Sequence, residues 1–150
     1  MPDTLTLDQS YMKLAMSWSE RSHAKRKKVG CIIVKDNQII SDGYNGTPYG
    51  FDNNCEFETR FGYETKPEVL HAESNAITKL AKSTQSGKGA TVYVTLMPCF
   101  DCAKLMIQCE IGRVVYKEDY RNTSGVELLQ QANIPVTKLE VDPTCPPSSS

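Results

Sequence analysis

Ala90-Thr91-Val92-Tyr93-Val94-Thr95-Leu96, running on through Met97-Pro98-Cys99-Phe100-Asp101-Cys102, is the stretch that decides the architecture. Its first part is β-branched and aromatic, at a length suited to a buried strand, and Gly87-Lys88-Gly89 supplies the break before it. Pro98 then opens a helix over 99–109, where a missing N–H costs nothing because first-turn amides have no intrahelical partner. Gly112 leads into a further strand, Arg113 to Tyr116, which makes a β-α-β unit and requires a parallel strand pair.

Working outward, residues 69–85 read as a helix carrying His71-Ala72-Glu73 at its start. Val29-Gly30-Cys31-Ile32-Ile33-Val34 reads as a buried strand, Lys35-Asp36-Asn37-Gln38 as a turn, and Gln38 to Tyr44 as the second arm of a hairpin. Gly43-Tyr44-Asn45-Gly46-Thr47-Pro48 breaks that arm with turn chemistry. Leu5, Leu7, Tyr11, Leu14, Ala15 and Trp18 recur at helical spacing, which predicts a helix over 6–22. A helix over 123–132 and a strand from Val136 to Leu139 complete the order α-β-β-α-β-α-β-α-β. The stretch 49–67 is irregular but holds Tyr49, Phe51, Phe57, Phe61 and Tyr63, so an ordered excursion near the site is expected.

A hairpin followed by β-α-β units predicts an α/β fold, a three-layer α/β/α sandwich. Its core is a five-stranded mixed sheet of order 2-1-3-4-5. One domain over 1–140 is expected, with the Pro/Ser-rich segment 141–150 as a disordered tail. Lysine and arginine number 17 against 18 acidic residues, a net charge of −1, so no global field favours nucleic acid or a membrane. No apolar run approaches a bilayer span, and the first residues contain no signal-peptide h-region. Of the six cysteines two stand in metal-ligand spacing, while Cys31, Cys55, Cys109 and Cys145 show no disulfide framework; a reducing, cytoplasmic location is expected.

The chemistry is carried by His71, Glu73, Cys99 and Cys102. Cys99 and Cys102 are three apart at a helix start, on one face and beside the positive end of the dipole, which favours thiolates. His71 and Glu73, two apart, can reach the same point only near a helix beginning, so two helix N-termini should converge there. One imidazole and two thiolates leave the fourth position of a tetrahedral zinc to water, the arrangement of a catalytic rather than a structural site. Such an ion is a moderate Lewis acid, and Glu73 is placed as the general acid and base beside it. A lone C-x-x-C is commonly structural or redox-active, and a lone H-x-E incidental; it is their conjunction that points to catalysis.

H-x-E followed by P-C-x-x-C is the signature of zinc nucleobase deaminases, and the chain resembles the deoxycytidylate (dCMP) deaminases of the cytidine-deaminase superfamily, of the phage or bacterial kind. The resemblance covers residues 8–140 and rests on Val29-Gly30, Gly43-Tyr44-Asn45-Gly46-Thr47-Pro48, His71-Ala72-Glu73-Ser74-Asn75-Ala76-Ile77, Val92 to Lys104 and Gly112-Arg113-Val114-Val115-Tyr116. It implies the reaction dCMP + water → dUMP + ammonia, a step that supplies dUMP for dTTP synthesis. In it Glu73 is catalytic, His71, Cys99 and Cys102 hold one catalytic Zn²⁺, and Ala72 joins the substrate-binding set. Asn45 is implied to hydrogen-bond the deoxyribose hydroxyl. Gly43, Tyr44, Asn45 and Gly46 are implied to border an allosteric site where dCTP activates and dTTP inhibits, with Mg²⁺ on the triphosphate. A homo-oligomer, favoured as a hexamer, goes with that site; if the chain is phage-encoded, the compartment is the host cytoplasm.

The substrate phosphate needs a cation, for which Arg26 is chosen, with Lys25 and Lys28 as alternatives. Tyr120 is a further substrate-binding candidate that could stack on the base, reach the phosphate or simply pack. Some phage relatives carry a second, structural zinc; Cys31, Cys55 and His23 could not complete one without a carboxylate, so a single zinc is expected. Rival readings are a tRNA or other nucleic-acid adenosine deaminase, a non-catalytic zinc module, and a bifunctional dCMP/dCTP deaminase. The near-neutral charge and the long link from Thr47 to Leu70 count against the first.

Overall fold

The computed structural model describes residues 5–139. The proposed tail at 141–150 lies outside the described residues. A central sheet runs in the order β2-β1-β5-β6-β7, built from β1 (Gly30–Lys35), β2 (Gln38–Tyr44), β5 (Thr91–Leu96), β6 (Arg113–Glu118) and β7 (Val136–Lys138). β1 is antiparallel to both β2 and β5, whereas β5, β6 and β7 are mutually parallel, so the sheet is mixed. This is the order 2-1-3-4-5 expected from the sequence once a small extra hairpin is set aside. That hairpin, β3 (Glu56–Thr59) with β4 (Gly62–Thr65), corrects the irregular reading of 49–67.

Strand alternation divides the core into two layers. Cys31, Ile33, Val92, Val94, Val114 and Tyr116 face one side of the sheet, against α2 (Ala72–Ala81), α3 (Phe100–Gln108) and α4 (Ser124–Gln131). Ile32, Val34, Tyr93 and Val115 face the other, where Met12 and Ala15 of α1 (Leu7–Ser19) cover them. Thr6 caps α1 with a reciprocal Gln9 box. The helices are shorter than periodicity suggested: α1 stops at Ser19 rather than 22, and α2 begins at Ala72 rather than 69. In the hairpin turn Asp36 and Asn37 both take positive φ (52° and 61°), the backbone that a two-residue turn matched to strand twist demands. Among the described residues, no helix is long and apolar enough to cross a membrane.

Two glycines set where helices begin. Gly43 lies inside β2, not in a turn, and a Cβ there would stand 2.4 Å from the Ala72 carbonyl oxygen. The glycine therefore lets the start of α2 lie directly on the strand. Gly125 does the same for α4, since its Cβ would meet the Pro98 oxygen at 2.4 Å and the Cys99 carbonyl at 2.6 Å. Both close contacts fall beside the residues proposed to do chemistry.

Candidate active site

His71 is the N-cap of α2 and Cys99 the N-cap of α3, so two helix N-termini do converge. His71 Nδ1 lies 3.3 Å from Cys99 Sγ and 3.3 Å from Cys102 Sγ, and the three ligand atoms fall within 4.8 Å of one another. Tetrahedral zinc at about 2.3 Å from sulfur and about 2.0 Å from nitrogen needs N···S separations near 3.5 Å, so the donor set fits the ion closely. The Cys102 amide donates to Cys99 Sγ (3.5 Å) and the Ser74 hydroxyl lies 3.7 Å from Cys102 Sγ, contacts that hold the sulfurs in place.

The protonation states follow from this crowding. Hydrogen bonding from Cys102 pushes the Cys99 thiol down to about 4, with His71 adding to the effect. Cys102 moves up, because the shared proton stays on it and burial opposes a second charge. The hydrogen bond to Cys99 holds His71 above its usual range. Binding a cation must therefore expel protons from this cluster. Glu73, in the first turn of α2 and 4% exposed, is pushed up to about 7 by burial, an affinity suited to giving and taking a proton near neutrality.

These groups open into a cleft of about 590 Å³. His71, Ala72, Glu73 and Cys99 line it together with Asn45, Arg26 and Tyr120, so the sequence-derived catalytic, metal and substrate residues meet in one place. Cys102 sits just behind, buried. Gly43, Tyr44 and Gly46 are not among the lining residues; Tyr44 instead faces Arg21, whose guanidinium lies 5.4 Å from the Trp18 ring and 5.9 Å from that of Tyr44. Asn45 is a staple as well as a wall. Its Oδ1 accepts from the Val29 amide (2.9 Å) and its Nδ2 donates to the Lys27 carbonyl (2.8 Å), fixing the basic segment against β2.

Within that segment Arg26 and Lys27 line the cleft, whereas Lys25 Nζ lies 4.7 Å over the Tyr63 ring and Lys28 is not a lining residue. Arg26 Nη1 reaches the Thr65 hydroxyl at 3.4 Å, and Lys27 pairs with Glu118. Sequence reasoning missed Lys27, Glu118, Asp119 and the hairpin residues Glu56 and Thr65, all of which line the cleft. The clustered aromatics of 49–67 were the available signal for the hairpin; nothing local marked Glu56.

Fold and site together define a zinc-dependent deaminase, with one imidazole, two thiols and a buried carboxyl group at converging helix starts. A family model described as the cytidine and deoxycytidylate deaminase zinc-binding region matches residues 5–118, and the chain belongs to that family. It is 34% identical to the deoxycytidylate deaminase of Enterobacteria phage T4, over 83% of this chain and 86% of that protein. It is 33% identical to ComE operon protein 2 of Bacillus subtilis, over 93% and 75% of the two chains. Among solved structures, the dCMP deaminase of cyanophage S-TIM5 in complex with dCMP and dUMP superposes with a TM-score of 0.83 at 42% identity. That match covers 91% of this chain and 100% of the other.

Proposed function

We propose that this protein hydrolyses dCMP to dUMP and ammonia. The observation that carries the reading is one cleft whose wall holds His71, Cys99 and Glu73, with Cys102 grouped with the first two just behind it, and which the Arg26 and Lys27 cations also line. A base-sized amidine and a phosphate fit such a cleft together; the likeness to the cyanophage enzyme supports the same substrate.

Bound by His71, Cys99 and Cys102, zinc supplies Lewis acidity and a water nucleophile at neutral pH. Glu73 takes a proton from the attacking water and passes it to the ring nitrogen beside the attacked carbon. It then takes the second proton, from the hydroxyl now on the attacked carbon, and gives it to the amine as the carbon–nitrogen bond breaks, so water's oxygen stays on the ring as a carbonyl and ammonia leaves. Burial around Glu73 keeps both of its protonation states within reach. Ala72, first residue of α2, offers a first-turn N–H without an intrahelical partner to a pyrimidine oxygen. Asn45 and Tyr120 shape the sugar and base walls, and Arg26 grips the phosphate.

The same reading carries regulation. dCTP activates and dTTP inhibits, with Mg²⁺ on the triphosphate, at a site bordered by Gly43, Tyr44, Asn45 and Gly46 in a cytoplasmic homo-hexamer. The match of this loop to the family pattern supports it, as does Arg21 beside Tyr44, a cation in reach of a phosphate. Ammonia release from dCMP, dCTP, deoxycytidine and CMP, each with and without dCTP or dTTP plus Mg²⁺, tests both parts. Turnover of deoxycytidine as fast as dCMP would remove the phosphate site, and rates indifferent to effectors would remove the regulation.

A further inference from the structure

Ser74 stands three residues past His71, the N-cap of α2, so both side chains leave the same face of that helix start. The face meets the beginning of α3, where the half-buried Ser74 hydroxyl lies 3.7 Å from Cys102 Sγ. Among the described residues this sulfur is the hydroxyl's only hydrogen-bond partner. The two sulfurs are served differently. Cys99 Sγ accepts from the Cys102 backbone amide at 3.5 Å, a donor that almost any residue at that position would supply. Cys102 Sγ is buried, and the one hydroxyl or N–H from outside the ligand set that reaches it among the described residues belongs to Ser74.

The direction of that hydrogen bond depends on the metal. A protonated Cys102 can donate to the hydroxyl oxygen, whereas a zinc-bound cysteine is a thiolate with no proton to give, so the hydroxyl must donate. The contact then becomes charge-assisted in a buried place, where such bonds are strongest. It draws electron density from the sulfur, which leaves more positive charge on the ion. We propose that Ser74 is a positioning residue of the metal centre: by donating to the Cys102 thiolate it raises the affinity for zinc and keeps the bound ion a stronger Lewis acid. Ser74 is not among the residues lining the cleft, so it acts through Cys102 and not on the substrate. This assignment rests on the reading of His71, Cys99 and Cys102 as the zinc ligands.

The test follows wild type, Ser74→Ala and Ser74→Thr through zinc affinity by chelator competition, the sulfur-to-metal charge-transfer band of the cobalt(II) form, and melting without metal. Ser74→Ala should bind zinc about 10-fold more weakly or worse, as is usual when a group hydrogen-bonded to a metal ligand is removed. Its charge-transfer band should move to lower energy, because a thiolate without its donor gives up an electron more readily. Turnover of dCMP should lose about 10-fold in kcat with KM unmoved. The metal-free variant should melt with the wild type, since there the lost contact is a neutral one. Ser74→Thr keeps the hydroxyl and should restore both affinity and band. A Ser74→Ala protein that holds zinc as tightly, or keeps its band in place, overturns the assignment, as does a Ser74→Thr protein no better than Ser74→Ala. A Ser74→Ala protein whose metal-free form is unfolded, or melts as far below wild type as the loaded form does, also overturns it, because the role is then one of packing. Wild type that binds neither ion overturns the ligand reading instead.

Discussion

Gly125→Ala is the perturbation that most sharply probes how the fold builds the site. Gly125 is the second residue of α4, buried, and an added Cβ would stand 2.4 Å from the Pro98 oxygen and 2.6 Å from the Cys99 carbonyl carbon and oxygen. Ordinary contact requires separations about 1 Å longer. The obstacle is backbone, so either α4 or the Cys99 turn must move. Overpacking of this kind costs about 1–3 kcal/mol, while replacing a helical glycine by alanine returns up to about 1 kcal/mol. The net loss of about 1–2 kcal/mol should lower Tm by about 2–8 °C in a chain of this size. Cys99 carries a ligand sulfur and its carbonyl starts α3 by accepting from Ala103 (2.9 Å), so the shift should also weaken zinc by about 10- to 100-fold. Thermal melts with and without zinc, and chelator competition, read both effects. Gly46→Ala, where nothing lies within 4 Å, is the stability control and should melt with the wild type. A Gly125→Ala protein that melts unchanged and holds zinc as tightly would refute the packing argument.

Arg26→Ala should raise KM for dCMP by about 10- to 100-fold and leave deoxycytidine turnover unchanged, read by steady-state kinetics on both substrates. Removing zinc with a chelator should abolish ammonia release, and Cys102→Ala should prevent its recovery on adding zinc back. Asp8 accepts from Arg113 at 2.7 and 3.0 Å and from the Tyr93 hydroxyl at 2.6 Å, and the Arg113 hydrogen bonds hold its carboxyl below the usual range. Its folded-state affinity for a proton is thus lower than in the unfolded chain. The stability it contributes is therefore complete above the unfolded value, near pH 4, and is lost as pH falls through the folded one. Asp8→Asn should cost about 1 kcal/mol at pH 7 and make the melting temperature less sensitive to acid below pH 5, measured by melts across pH.

Much of this arrangement was legible because its chemistry is local. His71-Ala72-Glu73 and Pro98-Cys99-Phe100-Asp101-Cys102 each sit at one helix start, so spacing alone implied convergence. The apolar runs of β1, β5 and β6 fixed the sheet, and Asp36-Asn37 announced the hairpin turn. The β3–β4 hairpin was harder to read: Glu56-Phe57-Glu58-Thr59 and Gly62-Tyr63-Glu64-Thr65 are mostly exposed, so no hydrophobic alternation marks them. Gly43 read as turn chemistry, yet it is a strand residue whose missing side chain admits α2; a close approach between distant segments leaves no local trace. Glu56 and Lys27 are of the same kind, since their place in the cleft depends on contacts across about 30 residues for Glu56 and about 90 for Lys27.

Ammonia release from dCMP by zinc-loaded wild type beside zinc-loaded Glu73→Gln tests the central claim most directly. The account predicts steady turnover by the wild type and a loss of about 10²-fold or more in kcat in the variant, with zinc still bound stoichiometrically. A variant that releases ammonia at the wild-type rate, or a zinc-loaded wild type that releases none, would contradict it.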